Sequence, residues 1–276
     1  LGARTVNVQA FKVGEGVGLV ITDITEQNKL EREKENINRL NEALGRLYVP
    51  LTDPQTSINE IADGVLKEAM AITGSVHGYV SEVDEYTGNN IGHTLTSMMP
   101  NCDVPEKRIE FPKSPDGTYA SLWGYALTTK KPFYTNHPQK HPSSNGTPAG
   151  HIPIERFLAV PVLIKDGLVG QIALANPQRD YSDNDLKMIE RIAELYGTAI
   201  MRKRIQAALS RSEAEKSSIL NSMRDIVSLK DRDYNILWGN DALSESVGNP
   251  ISELVAKKCY NASYDREEPC ENCGVE

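Results

Sequence analysis

Phe157-Leu158-Ala159-Val160-Pro161-Val162-Leu163-Ile164-Lys165-Asp166-Gly167-Leu168-Val169-Gly170-Gln171-Ile172-Ala173-Leu174-Ala175 carries the clearest local signal in the chain. It reads as two apolar strands, Arg156 to Ile164 and Leu168 to Ala175, about a two-residue turn whose Asp166-Gly167 favours positive φ. Downstream, Ser182-Asp183-Asn184-Asp185 opens a helix with a capping box, and Leu186, Ile189, Ile192, Tyr196 and Ala199 fall on one face of it. No breaker interrupts Arg202-Lys203-Arg204, so that helix is expected to run to Leu209 and beyond. Upstream, Ile58, Ile61, Val65, Ala69 and Ile72 mark another amphipathic helix, stopped by Gly74 and separated from a preceding helix by the breakers Pro50 and Pro54. A strand over Gly78 to Val83, the turn-rich stretch 84–90 and a second strand from Ile91 to about Met98 follow. Helices flanking a helix-backed antiparallel sheet make an α+β domain. Between Pro100 and Pro153 the chain is rich in Pro, Gly, His and Lys and lacks periodicity, and a loop of that length in a compact domain is usually functional.

The flanks read differently. Alternating apolar residues from Val6 to Phe11, the glycines 14, 16 and 18, and Leu19-Val20-Ile21 suit two strands joined by a Gly-rich turn. Asp23 or Thr25 can cap the helix that follows. In that helix Leu30, Ile37, Leu40, Leu44 and Leu47 recur at spacings of seven, three, four and three, the stripe of a short coiled coil and an expected dimer seam. At the far end, Ile226 to Leu229 and Asn235 to Trp238 flank an Asp231-Arg232-Asp233 turn as a hairpin. The start at Leu1 and the end at Glu276 suggest a piece of a longer protein.

Composition narrows the function classes. A net charge of -8 over 276 residues, with both signs interspersed, offers no extended basic face and argues against nucleic acid as the main partner. No apolar run approaches a membrane span and the N-terminus lacks a signal-peptide layout, so a cytoplasmic fragment without membrane contact is expected. Four cysteines are too few for a disulfide scaffold. No P-loop, paired-carboxylate or nucleophile-base constellation is present, so catalysis within these residues is not expected.

From about Gly45 to Lys203 the chain resembles a GAF domain, and within that family the GAF domains of sensor histidine kinases from methanogenic archaea and related bacteria. The resemblance rests on Phe111-Pro112, Asp116-Gly117, Leu122-Trp123-Gly124, Thr135-Asn136, Gly150-His151-Ile152-Pro153, Phe157 to Val162 and Gly170 to Asn176. Some of those domains are haem sensors with a loop cysteine as anchor and a histidine as axial ligand. The resemblance therefore implies Cys102 as the thioether anchor and His151 as the iron ligand, with His141 next. Neutral imidazole binds iron, and the apolar hairpin supplies a dry wall. The bland alternatives are a buried thiol at Cys102 and hydrogen-bonding loop histidines at His137, His141 and His151. Cyclic nucleotides rank below haem, because the Asn-Lys, Phe, Asp-Glu pattern of nucleotide-binding members meets Asn176-Pro177, Tyr181 and Asp185-Leu186 here. A bilin ranks below haem too, because Asp103 rather than a histidine follows Cys102.

The flanking pieces resemble PAS domains. Phe11, Gly16 and Asp23-Ile24-Thr25-Glu26 match the last quarter of one, with Asp23 coupling sheet to helix, and Trp238 to Ala242 with Gly248 to Ile251 match the first half of another. The expected layout is a PAS end over 1–25, a signalling helix over 26–48, the GAF domain over 49–202, a linker helix over 203–222 and a truncated second PAS domain over 223–276. In that last piece Cys259, Cys270 and Cys273 lack the fourth ligand of a closed zinc site and read as redox candidates or as reduced thiols. The resemblance implies an input region of a sensor histidine kinase, dimeric through its helices, acting on a downstream kinase domain and response regulator. Another output class, or a purely dimerising role, remains the alternative.

Overall fold

The computed structural model describes residues 4–94, 110–147, 150–271 and 273–275. In chain order the elements are β1 (Val6–Val13), β2 (Gly16–Asp23), α1 (Thr25–Thr52), α2 (Ile58–Thr73), β3 (Ser75–Val83), β4 (Asn90–Gly92), β5 (Glu110–Phe111), α3 (Ser121–Thr129), β6 (Phe133–Thr135), β7 (Phe157–Ile164), β8 (Gly167–Pro177), α4 (Asp183–Ser222), β9 (Ser228–Lys230), β10 (Ile236–Gly239), α5 (Asp241–Val247), α6 (Ile251–Leu254) and α7 (Cys259–Tyr264). The chain divides into two compact units, residues 1–203 and 204–276.

The first unit is built on a six-stranded antiparallel sheet of order β5-β4-β3-β8-β7-β6. Successive side chains of a strand point to opposite faces. Val80, Ile172, Leu174, Leu158, Val160 and Val162 therefore share one face, which packs with α1, α2 and α4 into the main core. Helix α2 starts at a reciprocal capping box, with Ser57 N–H donating to Glu60 Oε2 at 2.8 Å and Glu60 N–H donating to Ser57 Oγ at 3.2 Å. It ends at Gly74, whose φ of 72° is the left-handed stop expected of glycine.

Helix α1 corrects one expectation. Pro50 does not break it: the helix continues to Thr52, because Leu47 and Leu51 are buried in the core and Asp53 N–H closes the last turn on Val49 O at 3.0 Å. The expected dimer stripe is divided. Leu47 is buried in this chain's own core and Leu40 and Leu44 pack against it, whereas Leu30 and Ile37 are exposed. Arg46 forks onto Glu68 of α2 at 2.9 and 2.8 Å. From α4, Arg202 donates to the carbonyls of Thr52 and Asp53, and Lys203 to that of Pro54, satisfying groups that a helix C-terminus leaves unpaired.

The β7–β8 hairpin forms as the sequence indicates, with one change at its tip. Ile164 pairs with Gly167, so the two loop residues are Lys165 and Asp166, and the positive φ (54°) falls on Lys165 rather than on the Asp-Gly pair. The second strand is shorter than expected, Asn90–Gly92, and its anticipated extension lies partly outside the described residues. The middle segment is not a plain loop, since it contributes β5, α3 and β6. In α3, Ala126 and Leu127 bury against the sheet, and Gly124 lets the helix start fold tightly: a Cβ there would stand 2.5 Å from Tyr119 O.

The β1–β2 hairpin forms with Gly14 at a φ of 59°, and its apolar side chains are exposed. Asp23 Oδ1 accepts from Thr25 N–H at 3.0 Å at the junction with α1. In the second unit the expected hairpin appears as β9 and β10, and Ile236, Leu243, Leu254 and Cys259 form a small core. The expected linker over 203–222 is the continuation of α4, one helix of 40 residues. Among the described residues no helix is long and apolar enough to cross a membrane.

Candidate functional site

The second face of the six-stranded sheet carries the candidate site. Cross-strand register places His77, Tyr79, Ser81 and Val83 of β3, Asn90 of β4, Gln171, Ala173 and Ala175 of β8, and Phe157 and Ala159 of β7 on that face. The floor at its centre, Ala159, Ala173 and Ala175, is made of small side chains. Leu122, Trp123, Ala126, Phe133 and Ile154 pack around it, with Tyr79 at its edge. The face is apolar with a few polar groups, the usual make-up of a small-molecule site.

Among the described residues Tyr79 Oη, both amide atoms of Asn90 and Gln171 Oε1 are buried without a hydrogen-bond partner. Gln171 does donate through Nε2 to Trp123 O at 2.9 Å, tying α3 to the sheet. Burial raises the Tyr79 phenol far above its ordinary pKa, so it remains a neutral donor. His77 is shifted the other way, first by burial and then by the neighbouring His151, and stays neutral at pH 7.

The two candidate axial histidines differ in tautomer. His151 Nδ1 stands 2.7 Å from Ile152 O; a carbonyl only accepts, so Nδ1 carries the proton and Nε2 holds a free lone pair. His141 is the reverse: its Nδ1 accepts from Ser143 N–H at 3.2 Å, which leaves the proton of the neutral ring on Nε2. Its ring also lies against Tyr125 and Phe133, with centroids at 4.9 and 5.3 Å. His137 is exposed. Cys102 lies outside the described residues.

At the rim, Asn176, the last residue but one of β8, adopts a left-handed conformation (φ 56°). Its Oδ1 accepts from Glu155 N–H at 2.8 Å and its Nδ2 donates to Pro153 O at 2.7 Å. Asp185 is fully buried at the head of α4. It accepts two bonds of 2.7 Å from the Arg179 guanidinium, and its Oδ2 also accepts from Ser182 N–H and Oγ. Burial alone would raise this carboxyl's pKa, and the bonds from Arg179 and Ser182 overturn that and hold it below the usual value. Asn176 and Asp185 thus have structural partners, and the cation beside Asp185 is Arg179, two residues beyond Pro177.

A family model for the GAF domain matches residues 55–201, just over half of the chain. The chain belongs to the GAF domain family. It is 30% identical over 214 residues to the methyl sulfide methyltransferase-associated sensor of Methanosarcina acetivorans, an alignment covering 76% of this chain and 21% of that protein. The chain therefore spans about a fifth of that relative's length. Among solved structures, the GAF domain of a phosphoenolpyruvate-protein phosphotransferase from Coxiella burnetii superposes with a TM-score of 0.51 at 13% identity, over 63% of this chain and 96% of that one. The corresponding domain from Acinetobacter gives 0.48 at 13% identity, over 63% and 98%. The matched part of the chain is a GAF domain with an α+β fold.

The remaining candidates sit in the second unit. Cys259 is buried, Cys270 and Cys273 are half-buried, and all three are free thiols. Among the described residues no group of three or more His, Cys, Asp and Glu side chains could hold a metal ion. The sequence reading missed His77, Tyr79, Asn90 and Gln171. The available signal was the alternation His77, Tyr79, Ser81, Val83, which marks one strand face, although nothing local says what that face meets.

Proposed function

We propose that this chain is the sensory input region of a signal-transduction histidine kinase, reading a small ligand or redox state through the sheet face of its GAF domain, with haem as the ligand group. The observation that carries the ligand assignment is the His151 tautomer: Nδ1–H is committed to Ile152 O, so Nε2 is available to a metal. The donor chemistry of an imidazole fits a haem iron, and Ala159, Ala173 and Ala175 are closed off from solvent beneath Leu122, Trp123 and Ile154. His151 would hold the iron, and Cys102 would anchor the ring through a thioether. When bound, haem supplies a redox-active iron that can take a diatomic ligand. The chain's own part is to orient the imidazole, exclude water with Leu122, Trp123 and Ile154, and offer the neutral Tyr79 hydroxyl.

Support for the signalling role comes from the Methanosarcina relative, whose name makes it a sensor, and from helices that enter and leave the domain. The β1–β2 hairpin and the second unit are read as PAS-type pieces, and the whole protein as a cytoplasmic homodimer with a downstream kinase domain and response regulator. Exposed Ile37 of α1 borders an open groove of about 620 Å³ between α1 and α4, lined mostly by charged and polar side chains of both signs, and a second copy is read as its occupant. The test is an absorption spectrum of the protein purified with haem supplied, before and after acid extraction. A Soret band that survives extraction in the wild type but not in Cys102→Ser supports the assignment, and a colourless protein that ignores added haemin sinks it.

A further inference from the structure

Two residues of this chain keep the His151 segment in place, and they come from the far side of the hairpin rather than from the segment itself. Asn176 is the last residue but one of β8, and its neighbourhood is the floor of the site: Ala175, next to it, pairs with both His77 and Phe157. The Asn176 amide makes contacts that run in both directions along the 153–156 backbone. Oδ1 accepts from Glu155 N–H at 2.8 Å and from Arg156 N–H at 3.4 Å, and Nδ2 donates to Pro153 O at 2.7 Å. Its own N–H donates to Arg156 O at 3.1 Å. Arg156 is fastened in turn to Asp180, with Nε at 2.8 Å from Oδ1.

This arrangement has a consequence two residues upstream. Ile152 O is the acceptor that fixes the proton on His151 Nδ1, and Ile152 is bonded to Pro153, whose carbonyl Asn176 holds. Rotation of the 152–153 peptide would remove the acceptor from Nδ1, and a free imidazole would then exchange between tautomers. Pro153 restricts one dihedral of that pair by its ring, and the Asn176 donor restrains the other side of the residue. The left-handed φ of 56° at Asn176 is compatible with Asn or Gly and disfavours most other side chains. The backbone conformation and the amide can therefore be separated by substitution.

We infer that Asn176 is a positioning residue for His151: by clamping the Pro153–Arg156 backbone it holds the Ile152 carbonyl against Nδ1 and keeps Nε2 as the unprotonated nitrogen. The metal-binding half of this inference rests on the haem reading above, while the tautomer half does not. It also gives Asn176 a task that neither a strand-closing role nor a nucleotide contact would.

The experiment compares wild type with Asn176→Gly, which keeps the left-handed backbone and deletes the amide, and with Asn176→Asp, which keeps the acceptor for Glu155 N–H and loses the donor to Pro153 O. Nitrogen NMR of the histidine rings reads the His151 tautomer, and titration with haemin reads affinity. In the wild type a single Nδ1–H tautomer is expected. In both variants a tautomer mixture is expected, together with a fall in haemin affinity of about 10-fold or more, the usual effect of losing a partner that orients a metal ligand. Asn176→Asp keeps the test decisive if the glycine variant does not fold. An unchanged His151 tautomer in a folded variant overturns the inference, as does a changed tautomer with unchanged haemin affinity. A tautomer that changes on substitution in a protein whose wild type ignores haemin supports the positioning role and sinks the haem reading instead.

Discussion

Replacing Arg179 by Met should destabilise the first unit by about 2 to 3 kcal/mol. Asp185 is fully buried, and Arg179 supplies two charge-assisted bonds of 2.7 Å to it. Removing one member of a buried pair costs about 3 to 5 kcal/mol when the remaining charge has no other partner. Here Ser182 still donates through N–H at 2.9 Å and Oγ at 2.7 Å, and Arg179 is itself 54% exposed, so the loss belongs nearer the roughly 1.5 to 3 kcal/mol of hydrogen bonds to charged groups. For a unit of this size that is a fall in Tm of about 5 to 10 °C. The sign with pH follows from the depressed Asp185 carboxyl. Its contribution is complete above the unfolded carboxylate pKa and is lost as pH falls through the lower folded value, so the gap between wild type and variant should be full at pH 7 and close in acid. The control is Arg191→Met, which breaks an exposed pair with Glu194 at 3.0 Å and should cost under about 0.5 kcal/mol. Thermal melts of the three proteins across pH decide the matter. An Arg179→Met melt indistinguishable from that of Arg191→Met at pH 7 would refute the reasoning.

Two further outcomes are expected. Gly124→Ala forces a Cβ to within 2.5 Å of Tyr119 O and should cost about 1 to 3 kcal/mol by overpacking, read as a lower denaturation midpoint. Asn90→Leu removes from a fully buried site two polar atoms that have no partner among the described residues, and because each unsatisfied group costs about 1 to 3 kcal/mol its Tm should equal or exceed that of wild type; a clear drop would mean that Asn90 has a structural partner in solution.

Local chemistry made part of this molecule readable. The β7–β8 hairpin, the Ser182 helix start and the Gly74 stop each depend on residues within a few positions of one another, and all three occur. Features that depend on distant residues were not readable. Helix α3 is nine residues long with a glycine inside, too short to announce itself by periodicity, and it is held by burial of Ala126 and Leu127. Pro50 looked like a helix break because the sequence does not show that Leu47 and Leu51 are anchored in the core on either side of it. For the site, a histidine surrounded by prolines says nothing about which nitrogen is protonated. The difference between His151 and His141 exists only once Ile152 O and Ser143 N–H are placed. His77, Tyr79 and Asn90 became candidates only when β3 paired with both β8 and β4, which exposed the shared face.

The central claim, that His151 presents its Nε2 to a haem on the sheet face, is tested most directly by haemin titration of wild type, His151→Ala and His141→Ala, followed by absorbance. The account predicts a Soret band in wild type and in His141→Ala and its loss or large shift in His151→Ala. A band that survives in His151→Ala and disappears in His141→Ala would contradict it.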